Sequence, residues 1–190
     1  NHLESAEAIR SADVLFVSVR RRALPWEHLN LIRNHVAAGK PIIGIRTASH
    51  AFSLRGKQPP AGHAVWEGFD PEVWGGQYAG HHGNKIKTFA RAITVSKSHP
   101  ILQGVKGGEF PTGGSLYQVQ PLRATTDVLV MGRAGDVKPH EPVAWTNITS
   151  GGGRAFYTSL GHVDDFKLDQ FTKMLTNAVY WVAGKAVPNS

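Results

Sequence analysis

Two nearly uninterrupted apolar runs, Asp13 to Val19 (DVLFVSV) and Ile42 to Ile45 (IIGI), constrain this chain more than any other feature. A strand covered on one face alternates apolar and polar residues, so a continuous run signals burial on both faces, as in a parallel sheet. Between the runs, Pro25 suits the first position of a helix. Leu29, Ile32 and Val36 form an i, i+3, i+7 stripe, and Gly39-Lys40-Pro41 supplies a stop. Strand, helix and strand within about thirty-five residues make a right-handed βαβ unit.

The following segment, Arg55 to Lys85, is rich in Gly, Pro and His and shows no long period. It reads as a long functional or mobile loop with one helical turn at Pro71 to Trp74. Short β-like runs follow at Thr88 to Val95, Ser115 to Gln120, Val128 to Arg133, Val143 to Ile148 and Arg154 to Leu160. A closing helix spans Asp164 to Ala183, with Leu168, Phe171, Leu175, Ala178 and Val182 on one face and Gly184 past its end. Together these predict a single α/β domain over residues 1–190. The expected architecture is a flavodoxin-like three-layer sandwich, its sheet mainly parallel with antiparallel strands added at one side. The first residues, with Leu3, Ala6 and Ile9 interleaved by Glu4, Glu7 and Arg10, read as an amphipathic helix already under way at Asn1.

Composition removes several functions. The 190 residues include no cysteine, which excludes disulfides, thiolate metal sites and a cysteine nucleophile. No apolar run approaches the roughly 18 residues of a membrane span. The net charge is +7, but Arg20-Arg21-Arg22 is the one dense basic cluster, so a nucleic-acid partner is not expected. Compartment, cytoplasmic or exported, and assembly as a homo-oligomer stay open.

In open α/β sheets, ligands bind beyond the carboxyl ends of the strands. That rule gathers Ser18 to Arg22, Arg46 to His50 and Ser159 to Asp165. The stretch "PIIGIRTASHAF" reads as a strand turning sharply into a helix, the display used elsewhere for a nucleophile, here carrying Arg46. Arg46 and His50 are four apart, so both face one cleft if Thr47 opens a helix, whose first amides would suit an anion. The alternatives are a structural ion pair for Arg46 and a locally bonded His50. An extended Arg20–Arg22 segment would send Arg20 and Arg22 to one side and Arg21 to the other. His162, at a strand end with Asp164 and Asp165 beyond it, has the setting of an oriented general base; Asp164 also suits the N-cap of the last helix. In the Gly-rich loop, Tyr78 with Trp66 and Trp74 offers ring faces for a sugar or simply anchors the loop. His81 and His82 are candidate ligands with His162 for a divalent metal, although adjacent side chains of an extended loop diverge. Asn147-Ile148-Thr149 fits the glycosylation pattern but sits where a strand ends.

"VSVRRRALP", "GKPIIGIRTASHAF", "WGGQYAGHHGN", "HPILQGV", "PVAWTN…GGGRAFYTSLGHVDDF" and "MLTNAVYWVAG", in this order, resemble the trehalose-utilisation (ThuA-like) family of the glutamine amidotransferase-like superfamily. The resemblance implies a further strand-helix-strand portion upstream of Asn1. It also places Arg46 at the superfamily's cysteine position and His162 at its histidine position. A guanidinium has no nucleophilic lone pair, so cysteine-type glutamine amidotransfer is rejected. The resemblance implies instead a small-molecule carbohydrate ligand, a disaccharide or 3-keto-glycoside. His-assisted elimination or hydrolysis would give a lyase or hydrolase; the alternative is a non-catalytic carbohydrate- or anion-binding module. The expected catalytic group is His162, His50 and Arg46. The expected substrate contacts are Arg20, Arg22, Thr47, Tyr78, His81, His82 and Asp165.

Overall fold

The computed structural model describes residues 3–93, 96 and 98–188. Seven strands form one sheet: β1 (Leu15–Val17), β2 (Ile42–Ile45), β3 (Thr88–Ala92), β4 (Glu109–Thr112), β5 (Asp127–Ala134), β6 (Val137–Ile148) and β7 (Arg154–Thr158), in the order β1-β2-β7-β6-β5-β3-β4. The βαβ unit is as expected, with β1 and β2 parallel and paired Leu15 to Ile42 through Val17 to Gly44. β2 then pairs in parallel with β7. The remaining four pairings are antiparallel, so the antiparallel addition is the larger part of this sheet among the described strands. Strand β3 ends at Ala92; Thr94 and Val95 of the expected run, like Asn1 of the opening helix, lie outside the described residues. Helix α1 covers Ala6–Ser11.

The central strands explain the three layers. Consecutive side chains of a strand point to opposite faces, and Ile42 joins one core cluster while Ile43 joins the other. Ala155 and Tyr157 share the Ile42 side, and Phe156 the Ile43 side. Helix α2 (Trp26–Ala37) buries Leu29, Ile32 and Val36 on the first face. Helix α3 (Asp169–Val182) buries Phe171, Met174, Ala178 and Val182 on the second. Each fully buried Leu or Ile contributes roughly 1.5–3 kcal/mol relative to exposure, so this two-sided burial is the main source of stability.

Helix α3 starts five residues later than the sequence suggests. Asp165–Lys167 form a separate 3₁₀ turn and Leu168 is extended, with φ −98° and ψ 120°. Asp164 is therefore not its N-cap. The Gly-rich loop is also more fixed than its composition implies. Trp74 donates from Nε1 to the Ala48 carbonyl (3.1 Å), Trp145 donates to the Trp74 carbonyl (2.7 Å) and Asn147 donates to the Val73 carbonyl (3.0 Å). The indole of Trp74 lies where Gly44 has no side chain: a Cβ there would stand 2.5 Å from Trp74 Cζ2. Asn147, buried within β6, belongs to this anchor.

Candidate functional site: a polar cavity beside an arginine corner

Strand β2 ends at Ile45 in extended geometry and Arg46 turns the chain with φ +50°. A left-handed non-glycine residue costs about 1–2 kcal/mol, and hydrogen bonds hold it. Arg46 N–H donates to the Leu160 carbonyl (3.1 Å), and its own carbonyl accepts from Tyr157 Oη (2.6 Å). Its Nη1 donates to the carbonyls of Ser115 (2.9 Å) and Ser159 (3.0 Å), and Nη2 to Ser115 Oγ (3.3 Å). The guanidinium carbon sits 4.4 Å from the centre of the Tyr117 ring. The sharp display is present, but Arg46 braces the ends of β2 and β7 against residues 113–117. The chain continues as a 3₁₀ turn over Arg46–His50, not as the expected helix. Thr47 is half-buried within it.

His162 stands at the same corner. Its Nδ1 accepts the Asp164 N–H (3.3 Å) and lies 3.4 Å from Asp164 Oδ2. Asp165 is fully buried, with Oδ1 accepting the N–H of Gly113 (2.7 Å) and Oδ2 those of Gly161 (2.8 Å) and His162 (2.9 Å). A carboxylate with three amide donors has its acceptor capacity largely spent. Asp165 thus clasps the loop before α3 to the segment after β4, which corrects its expected place as a substrate contact.

Next to this corner opens a cavity of about 620 Å³, with Arg21, Ser49, His50, Asp70, Tyr78 and His81 in its wall. Of the expected residues, His50, Tyr78 and His81 meet here; Arg46, Thr47 and His162 do not line it. The alternation of the arginine triplet is observed, with the middle residue on the cavity side. Arg20 and Arg22 line a second groove with Phe16 and Leu24. His81 and His82 diverge: His82 turns inward, its Nε2 3.7 Å from Glu141 Oε1. Among the described residues no group of three or more His, Asp or Glu side chains is arranged to hold a metal ion, so the expected meeting of His81, His82 and His162 does not form.

His50 is buried, with Nδ1 3.0 Å from Ser49 Oγ and its ring stacked on Tyr78 at 4.2 Å between centres. Burial pushes its pKa down to about 3, helped by the charges of Arg21, Arg20, Arg55 and Arg46. It is neutral at pH 7, a hydrogen-bonding group and a weak base, which weighs against its place in the expected catalytic group.

The residue that sequence reasoning missed is Asp70. It is 7% exposed; Oδ2 accepts the Tyr78 N–H (2.6 Å), and Oδ1 has no hydrogen-bond partner among the described residues. Burial raises its pKa to about 7, opposed by that single N–H. A carboxyl poised near neutrality can give or accept a proton in the working range. The available signal was an acid set in an aromatic run, Trp66-Glu67-Gly68-Phe69-Asp70-Pro71-Glu72-Val73-Trp74, where desolvation is the rule.

Strand ends of a doubly covered α/β sheet, a sharp positive-φ turn after the central strand and a polar cavity beside it define a flavodoxin-like domain. Residues 2–182 match the Trehalose utilisation (ThuA) family, and the chain belongs to it. Solved relatives share the fold at low identity. A ThuA-like protein from Bacteroides uniformis superposes with a TM-score of 0.71 at 15% identity, over 97% of this chain and 75% of that one. One from Parabacteroides merdae gives 0.65 at 17%, over 96% and 74%. A cytoplasmic protein from Salmonella typhimurium gives 0.65 at 14%, over 95% and 75%. No curated protein matches the chain by sequence.

Proposed function

We propose that this chain binds a carbohydrate of disaccharide size in the Asp70–His50 cavity and acts on it, the favoured substrate being a 3-keto-glycoside. The cavity volume of about 620 Å³ lies within the roughly 300–1,000 Å³ of small-molecule sites. The observation that carries the reading is Asp70, buried, with a free Oδ1 and a pKa of about 7. In elimination from a 3-keto-glycoside, Asp70 takes the acidified proton beside the carbonyl and the electron pair expels the glycosidic oxygen. That oxygen then receives the proton, and water adds to the resulting enone. Neutral His50 and Gln77, which also lines the cavity, supply hydrogen bonds to sugar oxygens.

Incubation of the purified protein with trehalose and 3-keto-trehalose, followed by product chromatography, tests this. Turnover of the keto sugar is expected, and Asp70→Asn is expected to reduce kcat by at least about 100-fold, the usual scale of a lost general base, with substrate affinity retained. Affinity without turnover would support the second reading, a carbohydrate-binding module. That reading draws on Arg46, which stands at the turn and carries no nucleophile.

A further inference from the structure

The cavity wall and the corner beside it share an unusual backbone. Three non-glycine residues at positive φ occur among the described residues, and all are arginines: Arg21 (+49°), Arg46 (+50°) and Arg55 (+56°). Asn and Gly bear this conformation best, and a long side chain there is retained against a local cost of about 1–2 kcal/mol. Such strain concentrates at ligand clamps, where the side chain's position outweighs its price. The charges of these three arginines and of Arg20 all bear on one side chain, His50.

Their partners differ. Arg46 donates to the Ser115 and Ser159 carbonyls and to Ser115 Oγ. Arg21 and Arg55 line the cavity, and neither has a carboxylate within 4.0 Å among the described residues. Arg21 Nη1 reaches the Ser53 carbonyl only at 3.4 Å, and its buried Nε has no hydrogen-bond partner among the described residues. The one nearby carboxylate that bears on Arg21 is Glu67, which is already engaged by Ser53 Oγ and the Leu54 N–H. Arg55 is held in place by its own turn, in which Lys57 N–H bonds the Leu54 carbonyl (3.3 Å) across Arg55 and Gly56, both at positive φ.

Resting on the carbohydrate reading above, we infer that the ligand is an anionic sugar, its carboxylate or phosphate received by Arg21 and Arg55 while Asp70 Oδ1 hydrogen-bonds a hydroxyl of the ring. Two unpaired guanidinium groups at the rim of a polar cavity match an oxyanion in charge and in their fork of donors. The orphaned Oδ1 of a carboxyl poised near neutrality matches a sugar oxygen as a donor when protonated and a sugar hydroxyl as an acceptor when ionised. An anion seated between the arginines would also offset the positive field that adds to burial in keeping His50 unprotonated.

Isothermal titration calorimetry of the full chain with glucose, glucuronate, glucose 6-phosphate and inorganic phosphate tests the inference. The two anionic sugars are expected to bind at least tenfold tighter than glucose, with the gap narrowing as salt is added. Arg21→Asn and Arg55→Asn, which suit positive φ, are expected to fold with equal or higher thermal stability and to lose at least tenfold affinity for both anionic sugars; Lys106→Gln, the same charge change outside the cavity, should lose none. Saturation with glucose 6-phosphate should raise the pKa of the His50 ring, followed by its NMR resonances. Glucose binding as tightly as its anionic counterparts, or unchanged affinity in both Asn variants, overturns the anionic subsite and leaves the carbohydrate reading standing. Inorganic phosphate binding as tightly as glucose 6-phosphate, with no measurable binding of glucose, overturns the sugar reading and the inference that rests on it.

Discussion

The Arg46–His162 corner and the Asp70–His50 cavity lie side by side near the end of the central strands, yet they treat polar atoms in opposite ways. In the corner, Asp165 accepts three amides and Arg46 donates to two carbonyls and a hydroxyl. In the cavity, among the described residues, Asp70 keeps one oxygen without a hydrogen-bond partner and Arg21 a buried nitrogen with no acceptor, and His50 is held neutral. Buried polar groups in native proteins are nearly always satisfied, so an unsatisfied cluster facing a void marks where a ligand completes the bonding. The kind of residue does not distinguish the two regions, since each holds Arg, His and Asp; the bonds left unmade do.

Stability against pH gives the largest way to sharpen this contrast. His50 falls from 6.5 to about 3 on folding, so its neutral form is favoured and stability present above pH 6.5 is lost on acidification towards 3, on the order of 5 kcal/mol. Asp70 rises from 3.8 to about 7, so the native state binds more protons in between. Stability then falls as pH rises through that window, on the order of 4 kcal/mol. The two windows overlap between pH 3.8 and 6.5, so the opposed slopes offset each other in the parent protein, and urea midpoints measured from pH 3 to 9 should expose them one at a time: His50→Gln should leave a fall in stability with rising pH, and Asp70→Asn a rise. A pH profile unaltered in both variants would remove the cavity's electrostatic distinction.

The corner answers to a different measurement. Asp165→Ala leaves three amides without their acceptor and should cost about 3 kcal/mol or more, read as a lower urea midpoint. A loss below about 1 kcal/mol would mean the clasp is dispensable. Smaller still, Arg46→Lys keeps the charge and loses the fork, with an expected cost of about 1–2 kcal/mol and little change in ligand affinity. A loss of affinity instead, at unchanged stability, would move Arg46 from brace to ligand contact.

Much of the frame could be read from the chain because it is local. The runs at Leu15 and Ile42, the Leu29-Ile32-Val36 stripe and the face of α3 follow from period and burial alone. Strand β4 could not be read, because Glu109-Phe110-Pro111-Thr112 has a single buried apolar residue and a proline. Asp165 sits in a separate turn before α3, where it accepts the N–H of Gly113, 52 residues away, a bond that no local pattern records. The triplet's alternation was legible but not which side faces the cavity, since that depends on how the segment crosses the residues after β2. Asp70 escaped because its chemistry comes from burial rather than from neighbours in sequence.

The contact between Trp74 and Gly44 bears on how a ligand comes and goes. The same segment that supplies Asp70 and Tyr78 to the cavity wall is keyed into the sheet by an indole fitted over a missing side chain. That wall is therefore part of the core and does not swing over its guest like a flap. Recognition falls to groups set in place before the ligand arrives, with little ordering cost at capture. Enlarging Gly44 by one methyl would disturb selectivity from beneath the floor, without touching a single ligand atom.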